Sequence, residues 1–309
     1  MAVEIGTATN YKDLLLKLKT FLTGAALGTQ AWTALRYTTG AAGAADELIL
    51  RAPGNGGTDQ IFSGITTFEN VTADYYNWRI AGFSGFDAAL TFGAEPGVMK
   101  DVFVPLWNSP ISYWFIANGR RCIMIAKVST VYCMMYLGFI NQYASPSQFP
   151  YPLFVGGAQS HGAEPSLTDP LWRWSNPGNQ NHNFPMGNLN GNFSQARLRT
   201  NNGVWKNLYA STSLNQGNYI DAADSGIWPY QSGMSNIQQN LGAAAQSVVI
   251  PIILSGSEPE IYGEFDGIAA TSGQGIASED ILTVGGDSWL VVQDVFRTTR
   301  DRYCCVRLV

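Results

Sequence analysis

Residues 111–141 read ISYWFIANGRRCIMIAKVSTVYCMMYLGFIN, and the fold class turns on how this stretch is parsed. Read as one segment, the apolar part from Cys122 to Ile140 would barely span a bilayer, and Lys127, Ser129 and Thr130 interrupt it. Read as strands, it falls into Ser112–Ala117, Arg121–Ser129 and Val131–Asn141, each of strand length and rich in β-branched and aromatic residues. Asn118-Gly119 between the first two is a hairpin signal, because both residue types tolerate the tight reversal that joins antiparallel strands. The stretch is therefore expected to form buried strands.

Working outward, the same texture continues on the N-terminal side. Ala31–Tyr37, Glu47–Ala52, Gln60–Asn70, Asp74–Phe86 and Val102–Trp107 read as strands between glycine-rich turns such as Pro53-Gly54-Asn55-Gly56-Gly57. One helix precedes them. Asn10 is placed to cap it, Asp13 follows three residues on, and Leu14, Leu15, Leu18, Phe21 and Leu22 share one face before Gly24 stops it. On the C-terminal side, Ser247–Leu254, Ile261–Ile268, Ile281–Val284, Ser288–Phe296 and Tyr303–Val309 read as strands, the last two forming a closing hairpin. Between the two strand-rich parts, Asn, Gln, Ser, Gly and Pro dominate residues 142–246, with aromatic islands at Trp172, Trp174, Trp205 and Trp228. A structureless loop of that length is unusual in a compact domain, so an ordered insertion pinned by aromatics is expected. The division is a helix over 1–24, a first β part over 25–141, the insertion over 142–246 and final strands over 247–309. The expected fold is mainly β, with antiparallel sandwich or barrel-like sheets, and the two β parts joined in one sheet system.

Only 13% of the residues are charged, about half the usual share, whereas nine Trp, fourteen Tyr and fifteen Phe are present. Such a composition suits surfaces buried on assembly, where aromatics anchor and few charges need desolvation. The net charge of −5 argues against an electrostatic grip on nucleic acid or an anionic membrane. The opening MAVEIG lacks a basic-then-apolar signal pattern. Cys122, Cys133, Cys304 and Cys305 show no metal-type spacing, and adjacent Cys304 and Cys305 point to opposite faces of a strand, so free thiols are expected.

Catalytic patterns are sparse. His161 and His182 are separated by loop sequence with no cysteine nearby, which fits surface or interface hydrogen bonding better than zinc ligation. Gly233-Met234-Ser235-Asn236-Ile237 begins like a nucleophile elbow but lacks its closing glycine and its strand-to-helix setting. No phosphate-binding glycine loop occurs, and no cofactor is expected. The sharpest enzymatic option is Glu264 with Asp266, which would share one strand face near Glu258 and Glu260 and meet a glycosidase's need for paired carboxyls. The plainer reading of that segment is an acidic outer strand face beside the Asp266-Gly267 turn, whose acids could pair with arginines across a subunit contact.

Two passages carry a resemblance. The first is Tyr136–Phe139 followed by Tyr143–Gly157, YASPSQFPYPLFVGG; the second is Gly263–Gly267, Glu279–Gly286 and Val291–Thr298. Both resemble passages of tailed-bacteriophage tail and baseplate structural proteins. That resemblance implies a virion protein, assembled in the host cytoplasm, whose partners are copies of itself and other tail proteins; it carries no catalytic residue across. The expected function is a non-catalytic structural subunit, with Leu14, Leu18, Phe21, Trp172, Trp174, Trp205 and Trp228 as its contact residues. The alternative is a receptor-binding virion protein that reads host polysaccharide through the Trp-rich insertion; a polysaccharide-cleaving enzyme is the third reading.

Overall fold

The computed structural model describes residues 1–41, 44–54, 57, 59–99, 102–159, 174, 182–186, 196–208, 226–230, 248–255 and 260–309. The quoted stretch folds as three consecutive antiparallel strands, β7 (Ile111–Ala117), β8 (Arg121–Val128) and β9 (Val131–Phe139). They form the middle of a seven-stranded sheet in the order β1 (Ala2–Ala8), β7, β8, β9, β11 (Leu153–Gly156), β14 (Ala196–Arg199) and β15 (Trp205–Asn207). Each strand sends alternate residues to opposite faces. Phe115, Cys122, Met124, Cys133, Met135 and Leu137 enter one core, while Trp114, Ile116, Ile123, Ile125, Met134 and Tyr136 enter another. Because both faces are covered, the strands read as unbroken apolar text rather than as an alternation.

The front core is closed by a five-stranded sheet, β2 (Thr33–Thr38), β3 (Glu47–Ala52), β4 (Ile61–Asn70), β5 (Tyr75–Phe83) and β6 (Val102–Leu106), in sequence order. The back core is closed by β16 (Gly226–Trp228), β17 (Ile250–Ser255), β18 (Ile261–Thr271), β21 (Tyr303–Arg307), β20 (Asp287–Gln293) and β19 (Ile281–Val284), with β10 (Asn141–Gln142) also paired to β18. A short ribbon, β12 (Ala158–Gln159) with β13 (His182–Asn183), completes the antiparallel set. The fold is thus mainly β, as expected, in three stacked layers. The C-terminal strands do not extend the first β part edge to edge; they build their own sheet and join through the shared back core. β11, β14 and β15 lie within the polar 142–246 segment, yet they extend the central sheet.

Helix α1 (Tyr11–Thr23) starts where expected: the Asn10 side-chain oxygen accepts from the N–H groups of Lys12 and Asp13, each at 2.9 Å. Asp13 answers by accepting from the Thr9 N–H at 2.7 Å. Gly24 ends the helix with an extended backbone, and a Cβ there would lie 2.7 Å from the Thr20 carbonyl oxygen, so close approach explains the glycine. Leu14, Leu18 and Phe21, expected at an interface between subunits, are instead buried in the chain's own front core at 0%, 0% and 3% exposure. The leucine face found its cover inside the molecule. Strand β1 was not anticipated, although its alternation of exposed Val3 and Ile5 with less exposed neighbours is a strand signal.

Candidate functional site

The Glu264–Asp266 segment lies on β18, where the strand changes partners: Gly263 and Glu264 face β10, whereas Ile268 to Thr271 face β21. Its register with β17 slips across the same region. At that bend Gly267 has φ +79°, and a Cβ there would lie 2.4 Å from an Arg121 guanidinium nitrogen. Only glycine meets both demands.

Arg121 comes from the start of β8 in the central sheet and is fully buried. Its Nε lies 3.2 Å from Asp266 Oδ2, and its Nη1 donates to the Ile116 carbonyl at 3.3 Å. Asn118 locks the hairpin that presents it: its side-chain oxygen accepts from the N–H groups of Arg120 and Arg121, and its Nδ2 donates to Asp266 Oδ2 at 3.0 Å. Arg307 adds a second cation, 3.7 Å from Asp266 Oδ1. Burial by itself would raise the Asp266 carboxyl. The Arg121 charge, the Asn118 amide and Arg307 outweigh it and hold the group below its ordinary value of 3.8. A glycosidase acid needs the reverse, a carboxyl held protonated near neutral pH. Glu264 is separately engaged, accepting from the Tyr143 hydroxyl at 2.9 Å. The arginine pairing expected across a subunit contact is, for Asp266, made inside the chain, and Asp266 is buried rather than on an outer strand face.

A second polar knot fastens the other end of the back layer. Asp294, fully buried just beyond β20, accepts from the Asn183 N–H at 2.7 Å, and its Oδ2 lies 2.8 Å from His182 Nδ1. Arg302 and Arg297 approach the same carboxylate oxygen at 3.6 and 3.8 Å. Asn183 bridges onward: its amide donates to the carbonyls of Tyr132 and Gln293, and its oxygen accepts from the Met134 N–H at 2.8 Å. His182 is thus a buried hydrogen-bonding residue rather than a surface one. His161 lies outside the described residues. Among the described residues, no three His, Cys, Asp or Glu side chains are grouped to hold a metal.

Of the aromatic contacts expected in the insertion, Trp174 packs edge-on against Trp107, ring centroids 4.9 Å apart. Trp205 donates to the Gly97 carbonyl at 2.9 Å and covers Gly82, where a Cβ would lie 2.7 Å from the indole. Both are half-buried against the chain's own front core. Trp172 lies outside the described residues; Trp228 is described only in its backbone, as part of β16. Sequence reasoning missed Arg121, Asn183 and Asp294. A single acid between an apolar strand and two arginines is a legible signal for Asp294, whereas nothing local marks Asn183. No protein-family model matches this sequence, and no curated protein sequence shows significant similarity to it.

Proposed function

We propose that this chain is a non-catalytic structural subunit of a tailed-bacteriophage particle, placed in the tail or baseplate and assembled in several copies. The observation that carries the reading is where the phage-like passages fall. Tyr136–Phe139 holds Gly138, with φ +137°, directly against the backbone of Arg120 and Arg121. Gly263–Gly267 forms the bend that receives Arg121, and Val291–Thr298 contains the buried Asp294. The three segments of the second passage thus hold Asp266, Glu279 and Asp294, which link one layer to the next, and this suits a part whose shape has to be reproduced in every copy. Buried ionic groups of this kind are weak evidence for stability and better suited to fixing register.

The low charge content and the aromatic surplus support burial against neighbours. Asp266, held ionised between two arginines, argues against its use as a catalytic acid. The glycan-reading alternative through the insertion is weakened by Trp174 and Trp205, both committed to intrachain packing. The test is to purify particles by density gradient, quantify this chain against the major capsid protein by mass spectrometry, and reconstruct the tail by electron microscopy. A fixed copy number, with density matching the three-layer body, is the expected result. Absence from purified particles, with the chain left free in the lysate, overturns the proposal.

A further inference from the structure

Among the described residues, β1, β15, β16, β19, β2 and β6 end the three large sheets. An end strand exposes a row of unpaired N–H and C=O groups, which proteins ordinarily guard by shortness, proline, charge or a bulge. β15 and β16 have three residues each and β19 has four. β2 is broken by a register shift between Ala34 and Arg36, and β6 contains Pro105. β1 is guarded in none of these ways. It runs seven residues, AVEIGTA, pairs with β7 without a bulge, and meets no strand along its other side among the described residues.

The faces of β1 differ. Directly opposed residues of an antiparallel pair project to the same face. Val3 opposes Ile116 and Ile5 opposes Trp114, so both lie on the back-core side of the central sheet. Ile116 and Trp114 are buried there, whereas Val3 and Ile5 are 37% and 63% exposed. The apolar back face thus continues over β1 beyond the cover that the back sheet provides. Glu4, the one charged residue of the strand, lies on the other face and accepts from the Tyr113 hydroxyl at 2.9 Å.

The strand is also complementary to itself. Two copies joined edge to edge, antiparallel and with like faces on one side, need a two-fold axis that passes through a residue. An axis at Glu4 opposes two carboxylates, which is destabilising. An axis at Gly6 leaves the ends of both strands unpaired. An axis at Ile5 pairs the whole strand, with Ile5 opposite Ile5, Val3 opposite Thr7 and Glu4 opposite Gly6. We infer that β1 binds a second copy of this chain in that register, merging two central sheets into one. Such a contact is isologous and closes at two copies. It rests on the particle-subunit reading for the need of more than one copy. Particle composition tests that reading and the register of β1 tests this one, so either can fail alone.

The test uses the purified full chain. Sedimentation velocity is expected to show a monomer–dimer equilibrium with a Kd of about 1–100 μM, as suits a contact at the small end of specific interfaces. Ile5→Lys sets two cations face to face and should weaken association at least about tenfold, with the melting temperature unchanged because Ile5 is exposed in the single chain. The register is read by mild oxidation of cysteine variants, since the native cysteines are all buried. Opposed Cα atoms about 4.5–5.5 Å apart fall within the ~4.4–6.8 Å that a disulfide spans. Ile5→Cys is expected to link to itself, and Val3→Cys to Thr7→Cys. Val3→Cys is not expected to link to itself, its two positions lying about 13 Å out of register. A chain still monomeric at about 200 μM leaves the edge to a strand of another protein and overturns the inference. Full association in Ile5→Lys, or self-linking of Val3→Cys as readily as of Ile5→Cys, overturns it as well.

Discussion

The front and back covering layers are joined to the central sheet by different chemistry, since the front ion pairs, Lys12 with Asp46 and Glu69 and Arg36 with Glu47 and Glu95, stay within the front layer. At the front, α1 and β2–β6 lay Leu14, Leu18, Phe21, Leu50, Ile65, Trp78 and Phe83 against Phe115, Met124, Met135 and Leu137. At the back, a comparable apolar core is accompanied by charged links: Arg121 to Asp266, Lys127 to Glu279, Lys206 to Glu260, and the Asp294 knot that draws in His182 and Asn183. Apolar packing is non-directional and tolerates small shifts, whereas a buried ion pair is satisfied in one arrangement and costly in others. The charged links to the back sheet span sequence separations from 54 residues (Lys206–Glu260) to 152 (Lys127–Glu279), and these point-like polar contacts specify its placement.

The largest expected effect comes from breaking the Asp294 knot. Asp294→Ala leaves the Asn183 N–H, His182 and two arginines facing an uncompensated buried site, and is expected to cost about 3–5 kcal/mol in urea unfolding. A cost below 1 kcal/mol would show that the back layer does not depend on it. Arg121→Met should cost a similar amount, because it strands the Asp266 carboxylate; the Arg121→Met, Asp266→Leu double variant should recover most of the loss, since replacing both charges removes the unpaired one.

Acid sharpens the same contrast. Asp266 is held below 3.8 in the fold, so its contribution is fully present above the unfolded-state value and disappears as the pH falls through the lower folded value. The stability gap between the parent and Asp266→Asn should therefore narrow below about pH 4. A gap that stays constant down to pH 2 would mean that Asp266 is not clamped as described.

At the front, Leu18→Ala is expected to cost about 2–5 kcal/mol through cavity formation, with no acid dependence of its own. It should also speed alkylation of Cys122 and Cys133, which face the front core and whose thiols burial pushes up to about 12, ahead of the back-core Cys304. Equal labelling of all three would show that the layers open together. The smallest effect belongs to Lys127→Met: the Lys127–Glu279 pair is 35% and 40% exposed, and its loss should shift stability by less than about 1 kcal/mol.

Local physics made much of this legible. The α1 boundaries follow from the Asn10 cap and the leucine spacing, both visible within a few residues. The β7–β8 hairpin follows from Asn118-Gly119, although the side-chain oxygen of Asn118, accepting from two N–H groups, does as much as the turn dipeptide. Strand β1 carries only a short local mark, the alternation of Val3, Glu4 and Ile5. The Arg121–Asp266 link was not legible, because its members lie in different sheets and neither segment records the other's position.

By itself, then, the sequence determined the elements: one capped amphipathic helix, strands of ordinary length, the turns between them, and a chain apolar enough to bury them. Those properties depend on neighbours a few residues away. Tertiary structure alone decided that β7, β8 and β9 are covered on both faces, since an unbroken apolar strand is compatible with several surroundings. It also decided that the leucine face of α1 is closed by the chain's own front core. Most of all, it decided where the polar residues go: Asp266 meets Asn118 across a separation of 148 residues and Asp294 meets His182 across 112, distances over which no local pattern carries information.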